Sequence, residues 1–357
     1  MKVAHLGERG LIRRIRELVG SGAPGVRVGI GDDAAVLLLA GNAQLLATTD
    51  LLLEDIHFRR RYAEPGDIGW KALARNLSDI AAMGGTPRFA LVSLACPAET
   101  TTEAIDAFYK GIQAAAAPHG VVIVGGDTCA SPGGLLVSVT LLGELAGAPL
   151  LRSGARPGDS ILVTGMLGES AAGLALLEAT TGTGSGVTAG GARPEGPLLD
   201  AFDPEILDRV SQAHRRPVAR VAEGRWLGAS PAVSAMIDLS DGLATDLGHL
   251  AVESRVGARV HLDRLPISPA VRRVAEELGL DPIELSVTGG EDYELLLTAD
   301  RAAVGGLAAG LRAATGTPLT VIGEVVEPEA GVQFVNARGE PVSLGEGFEH
   351  FTLRRNR

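Results

Sequence analysis

Five short motifs set aspartates among glycines, hydroxyls and apolar residues: GIGDD (29–33), TTD (48–50), NLSD (76–79), GGDT (125–128) and DLSDG (238–242). Each adjoins an apolar run that reads as a buried strand or helix. Carboxylates gathered at the ends of such elements repel one another unless something positive joins them. Hard divalent cations are the economical partner, because they take oxygen ligands from Asp, Ser/Thr and backbone carbonyls. Asp79 points the same way. It falls near the C-terminal end of its helix, where the macrodipole disfavours a negative charge by about 0.3–1 kcal/mol. Singly, each motif has a plain explanation as a turn or a cap, since Gly and Asp favour turns anyway. Together they point to a polynuclear metal site.

Metals of this kind serve phosphates. Joining two phosphate groups is opposed by charge repulsion, which bridging Mg²⁺ ions neutralise while aligning the attacking and leaving oxygens. Arg152 offers planar bidentate donors for a phosphate, and a solvated linker arginine is the competing explanation. GGEDYEL (289–295) puts Glu291 and Asp292 just before a strand, as a ligand turn or an ordinary hairpin turn. His57, in EDIHF, is a lone histidine with a structural or a catalytic role. Gly29-x-Gly31-x-x-Ala34 formally matches a dinucleotide fingerprint, but it runs into a strand-like segment where that fingerprint must open a helix. There is no GxxxxGK[ST], which excludes a P-loop kinase.

Positioning these residues requires two α/β units. In the first, 26–39 and 43–50 read as neighbouring strands and 66–85 as a helix with Trp70, Leu73, Leu77 and Ile80 in an apolar stripe. A strand at 88–96, a Thr-capped helix at 101–117 and strands at 121–127 and 135–145 follow, an order close to ββαβαββ. That spacing puts Asp50 at the end of one strand and Asp127 at the mouth of a buried one. LRSGARPGD (151–159) is the connector, giving domains 1–148 and 149–357. The second unit opens with a strand at 161–165 and a helix at 168–179. TTGTGSGVTAGGARPEGP (180–197) is a Gly/Thr-rich insertion suited to a surface loop. A helix at 217–227, strand into turn at 232–242, a helix at 243–255 and strands at 258–265 and 293–299 complete it. Fold class is α/β (α+β), with helices on one face of a mixed sheet in the first domain.

The 357 residues carry 32 Lys+Arg against 43 Asp+Glu, a net charge of −11. That excludes non-specific nucleic-acid binding and attraction to anionic membranes. Lysine occurs only at positions 2, 71 and 110, so anion chemistry falls to arginine, backbone N–H groups or metal. Cys96 and Cys129 lack metal or redox spacing and read as buried thiols. No apolar run is long enough to span a bilayer and the first residues lack an apolar signal core, so a soluble cytoplasmic protein is expected.

Taken together, GIGDD, TTD, KALARNLSDIAAMG, GGDT, RSGARPGD, IDLSDGL, DLGHL, GGEDYEL and GFEHF, in this order over nearly the whole chain, resemble the thiamine-monophosphate kinase family of the group related to aminoimidazole-ribotide synthetase. The resemblance implies the two-domain fold of that group. It also implies Mg²⁺- and ATP-dependent phosphorylation of thiamine monophosphate to thiamine diphosphate, and a homodimer in which N-terminal sheets pair into a barrel-like interface. Carried over by position, Asp33, Thr48, Thr49, Asp50, Asp79, Asp127, Asp238 and Asp241 resemble Mg²⁺ ligands. Tyr109, Gly126, Asp127, Arg152 and Ser240 resemble ATP-site residues, with Asp50, Asp127 and Arg152 bearing most directly on transfer. His57, Glu291 and Phe348 resemble substrate contacts: a carboxylate suits cationic thiamine and a ring packs on a heterocycle. The chain departs from the family pattern in a longer insertion at 180–197 and in GFEHF where GYDHF is expected. Competing readings are another ATP-dependent member of the superfamily or a non-catalytic nucleotide-binding relative. Members making selenophosphate or maturing hydrogenase would need terminal cysteines that this sequence lacks.

Overall fold

The computed structural model describes residues 26–28, 32–38, 44–180 and 202–345. Gly29 and Gly31, the insertion beyond Thr180, and GFEHF with Phe348 lie outside the described residues. The first sheet is built from β1 (Val26–Val28), β2 (Ala35–Leu38), β3 (Gln44–Leu53), β4 (Thr86–Cys96), β5 (Val122–Ala130) and β6 (Leu136–Leu145), in the order β1-β2-β3-β6-β4-β5. Only β4 and β5 run parallel, and the crossover between them is α2 (Thr102–Ala116). The segment expected as one strand over 26–39 is instead two short antiparallel strands, with Val26 opposite Leu37.

Helix α1 (Pro65–Ala82) carries NLSD. Pro65 opens it, and the Glu64 N–H donates to Asp67 Oδ2 at 3.3 Å. Gly84, at φ 73°, stops it. Leu73, Leu77 and Ile80 of the expected stripe are buried, while Trp70 is half-buried with its Nε1 donating to Pro217 O at 2.7 Å. α2 starts on the expected cap, Thr101 Oγ1 accepting from Ala104 N at 3.2 Å.

The second sheet contains β7 (Ser160–Thr164), β8 (Val233–Asp238), β9 (Gly257–His261), β10 (Leu295–Ala299), β11 (Leu319–Val326) and β12 (Val332–Val335), ordered β12-β9-β11-β7-β10-β8. Around it lie α3 (Glu169–Thr180), α4 (Pro204–Arg215), α5 (Val221–Gly228), α6 (Leu243–Ser254), α7 (Pro269–Leu278), α8 (Pro282–Thr288) and α9 (Val304–Thr315). One face of the second sheet shares a core with the first, while its other face, with Val163, Ile237 and Leu296, builds a cluster of its own. Leu162, Met236 and Leu297 of the second share one apolar cluster with Leu73, Leu77 and Val139 of the first. α1 therefore sits as a common wall, and its polar residues reach both halves.

Two expectations fail for the same reason, the length of strands. TTD does not end its strand: β3 continues through Leu53. Nor does β5 end at Asp127, and it is an exposed edge strand, not a buried one. Cys129, expected buried, is consequently exposed, and both cysteines are free. No helix among the described residues is long and apolar enough to cross a membrane.

Candidate active site

Three carboxylates from separate elements converge. Asp33 comes from the β1–β2 turn, Asp79 from the last turn of α1 and Asp238 from the end of β8, and one oxygen of each lies within 4.8 Å of the others. Thr48 Oγ1 donates to Asp79 Oδ2, and Ser78 Oγ donates to Asp238 Oδ2 at 2.6 Å. Asp33 Oδ2 is buried without a hydrogen-bond partner. Burial, then repulsion from Asp50, Asp238 and Asp33, pushes the Asp79 carboxyl well above its ordinary value. Asp238 is pushed up to about 7 by burial and then by Asp33. An all-oxygen set with an orphaned lone pair and mutual repulsion fits a hard divalent cation, which would neutralise all of these costs at once.

Not all the expected ligands join this group. Successive residues on a strand face opposite sides. Thr48 therefore faces Asp79, while the Thr49 hydroxyl turns to the other face, donating to Val139 O and accepting from Thr140 Oγ1, both at 3.1 Å. Of the three TTD residues expected as ligands, Thr48 and Asp50 thus share the face toward Asp79 and Thr49 does not. Asp50 meets a cation that is part of the chain: Arg75 Nη2 donates to its Oδ1 at 3.2 Å. Asp127 is exposed on β5, its Oδ1 accepting from Thr128 N at 2.9 Å, outside the carboxylate group. Tyr109 sits on α2, edge-on to Phe108, and Gly126 precedes Asp127; none of the three lines the cavity described below.

Arg152 faces the acids. Its Nε donates to Asp33 Oδ1 at 3.1 Å, and its backbone N–H donates to Asp32 Oδ2 at 3.2 Å. Asp32, pushed up to about 7 by burial and by Asp33, is a neighbour the sequence reading passed over within its own motif.

Beside the acids opens a cavity of about 470 Å³. His57, Ser240, Asp241 and Glu291 all line it, as does Arg75. The loops carrying Ser240 and Glu291 interlock: Glu291 N donates to Ser240 O at 2.8 Å and Tyr293 N to Leu239 O at 2.9 Å. His57 Nδ1 accepts from Leu53 N at 3.0 Å, which puts the ring proton on Nε2. Asp292 is turned toward the start of α3. Its oxygens accept from Gly168 N at 2.7 Å and Ser170 N at 3.2 Å, capping α3. A further group, Asp241, Asp246 and His249, also lies within 4.8 Å, with Asp246 Oδ2 taken by the N–H groups of Asp241 and Gly242 at 3.1 Å.

Lys71, Arg75, Ser78 and His214 belong to the site's surroundings and were not singled out from sequence. Lys71, Arg75 and Asp79 are spaced i, i+4, i+8 along one face of α1, a signal that the apolar stripe overshadowed.

Two family models match, AIR synthase related protein, N-terminal domain, over residues 31–145, and AIR synthase related protein, C-terminal domain, over 156–335. The thiamine-monophosphate kinase of Salmonella typhimurium is 37% identical over 97% of this chain and 98% of its own length. That of Bacillus subtilis is 39% identical over 76% of this chain and 77% of its own. This chain belongs to the thiamine-monophosphate kinase family. Members make thiamine diphosphate from thiamine monophosphate and ATP, and the chain is a phosphotransferase of that kind. A solved structure of AaThiL complexed with AMPPCP and TMP matches with a TM-score of 0.81 at 34% identity, covering 98% of this chain and 99% of that one. HypE of E. coli, a hydrogenase maturation protein, matches at 24% identity with a TM-score of 0.66, a likeness of fold alone. The thiamine-monophosphate kinase family thus shares its two-domain architecture with proteins of other chemistry.

Proposed function

We propose that this chain carries out in-line phosphoryl transfer at the junction of its two functional units, 1–148 and 149–357. In this reading Asp33, Asp79 and Asp238 hold magnesium ions and thiamine monophosphate enters the cavity. The observation that carries it is the meeting of three carboxylates from both halves, two buried and that of Asp79 half-buried, beside a cavity lined by Arg75, Ser240, Asp241 and Glu291. Divalent ions bound there would neutralise the charge between the two phosphate groups. Asp50, Thr48 and Asp241 adjoin that set, and Arg152 and Ser240 flank the position of the nucleotide phosphates. The substrate phosphate is already an anionic nucleophile near neutral pH. Its oxygen attacks the γ-phosphorus, the bond to the β-phosphate oxygen breaks, and ADP leaves, without need of a general base. Arg75 supports this step: its Nε is buried without a partner, a donor suited to a phosphate oxygen. Glu291 faces the cationic ring, with His57 and the apolar wall of Ile56, Leu174 and Leu285 beside it; Phe348 is proposed as a further aromatic contact.

The test is direct. Purified protein with ATP, thiamine monophosphate and Mg²⁺ should yield thiamine diphosphate, and EDTA should abolish the yield. No product with Mg²⁺ present overturns the proposal, and ATP binding without turnover would favour a non-catalytic relative.

We further propose a homodimer through the open face of the first sheet, where Leu51, Phe89, Leu91, Val122 and Val124 are exposed. Large contiguous apolar faces mark interaction surfaces. Gly126 and Asp127 follow Val124 on β5 and so lie along this seam, where Tyr109, Gly126 and Asp127 would serve nucleotide binding in the assembled protein. Light scattering should give twice the chain mass for the wild type and the chain mass for Leu91→Glu/Val124→Glu. A wild type that stays monomeric at micromolar concentration removes the dimer.

A further inference from the structure

A second polar network lies under the cavity, apart from the carboxylate group. Lys71, on α1, is 2% exposed, and its ammonium donates to Glu291 Oε2 at 2.7 Å. His214, on α4, is also buried, with Nε2 3.4 Å from Lys71 Nζ. An ammonium has only donors, so Nε2 is the acceptor and the ring proton sits on Nδ1. Nδ1 in turn faces Ser170 Oγ at 3.1 Å and Glu291 Oε2 at 3.5 Å. Burial and then Lys71 hold the His214 pKa down at about 3, so the ring stays neutral and does not repel the ammonium. Glu291 itself stands at φ 64°, a left-handed conformation that a non-glycine residue keeps only when its surroundings impose it.

We propose that Lys71, backed by His214 and Ser170, is the positioning residue for Glu291: it clamps Oε2, keeps the carboxylate ionised and leaves Oε1 to meet the cationic ring of the substrate. This rests on the reading of Glu291 as a substrate contact. The physical need is plain. A buried carboxylate without a compensating cation takes up a proton and then offers no charge to a cationic ligand. Burial would raise the Glu291 pKa, but the charges of Lys71 and Arg75 outweigh it and hold it at about 2. Of the two oxygens, Oε2 carries the close contacts to Lys71 and His214. Oε1 has Arg75 Nη1 as a charged neighbour only at 4.0 Å. One carboxylate is thus split between an anchored oxygen and a presented one, by a lysine with no place in the phosphate chemistry.

The experiment compares wild type, Lys71→Met, Glu291→Gln and the double variant as full-length proteins, with circular dichroism and melting curves beside the kinetics. Lys71→Met and Glu291→Gln should each raise the KM for thiamine monophosphate about tenfold or more, leaving the KM for ATP within about twofold. In the Glu291→Gln background, Lys71→Met should add nothing beyond about twofold, because the two act through one contact. Additive losses, or equal loss toward both substrates, overturn the role of Lys71. If Glu291→Gln raises the KM and Lys71→Met does not, the inference falls while the substrate contact stands. If Glu291→Gln has no effect, the contact and the inference fall together. Should Lys71→Met not fold, Lys71→Gln, which keeps a donor without the charge, takes its place with the same expected outcomes.

Discussion

Asp79→Asn is expected to lower turnover by about a thousandfold or more while making the metal-free protein more resistant to heat. Both effects have one origin. Asp79 is half-buried and crowded by Asp33, Asp50 and Asp238, and its ionised form is tolerated only at the expense of folding. Its folded pKa lies above the unfolded carboxylate value of about 3.9. Between those two values the unfolded chain holds fewer protons than the folded one, so stability falls as pH rises through the window. Asparagine keeps the shape and the acceptor for Thr48 without the charge. The gain in melting temperature over wild type, measured in EDTA, should therefore be larger at pH 8 than at pH 5. With Mg²⁺ present the order should reverse, because only the wild type gains from the ion. Turnover of the Asp79→Asn variant that comes within tenfold of wild type would remove Asp79 from the metal set. A melting temperature that drops in EDTA would show a structural role instead.

Local patterns in the chain disclose elements better than they disclose faces. The apolar run VVIV was expected to be buried because periodicity cannot separate a core strand from an exposed one, and β5 lies exposed at the sheet edge. The apolar continuation LLL after TTD extends β3, and alternation then sends Thr48 and Thr49 to opposite sides. From the acidic motifs the convergence of Asp33, Asp79 and Asp238 could be anticipated, because clustered carboxylates are costly without a cation. What was not legible is what the tertiary fold supplies. Ser78 meets Asp238 across 160 residues and Lys71 meets Glu291 across 220, and no local pattern announces either pair. The scarcity of lysine was read as its absence from the site, whereas Lys71 lies directly beneath it. The substrate, in turn, rests on the likeness to relatives and not on residue chemistry, which reaches no further than phosphate and metal.

All of these contacts depend on where α1 sits, and its position is set by glycines. A Cβ on Gly111 of α2 would lie 2.0 Å from Gly66 O, and one on Gly69 of α1 would lie 2.0 Å from Phe108 O. The opposing atoms are backbone, so no side chain can swing away. Gly111→Ala would gain about 1 kcal/mol in helix propensity. Against this stands overpacking of a helix crossing, about 1–3 kcal/mol and more where backbone must move. The clash wins, and the net loss should be about 2 kcal/mol, read as a lower urea midpoint at unchanged slope. Gly305→Ala on α9 is the counterpart: its Cβ meets nothing within 4 Å. That change should stabilise by about 0.5 kcal/mol and leave turnover alone. Gly111→Ala should also lower kcat, since Lys71, Arg75, Ser78 and Asp79 move with α1. If Gly111→Ala matched wild type in both midpoint and kcat, the crossing would have room to spare and the glycine pair would not be what positions the site.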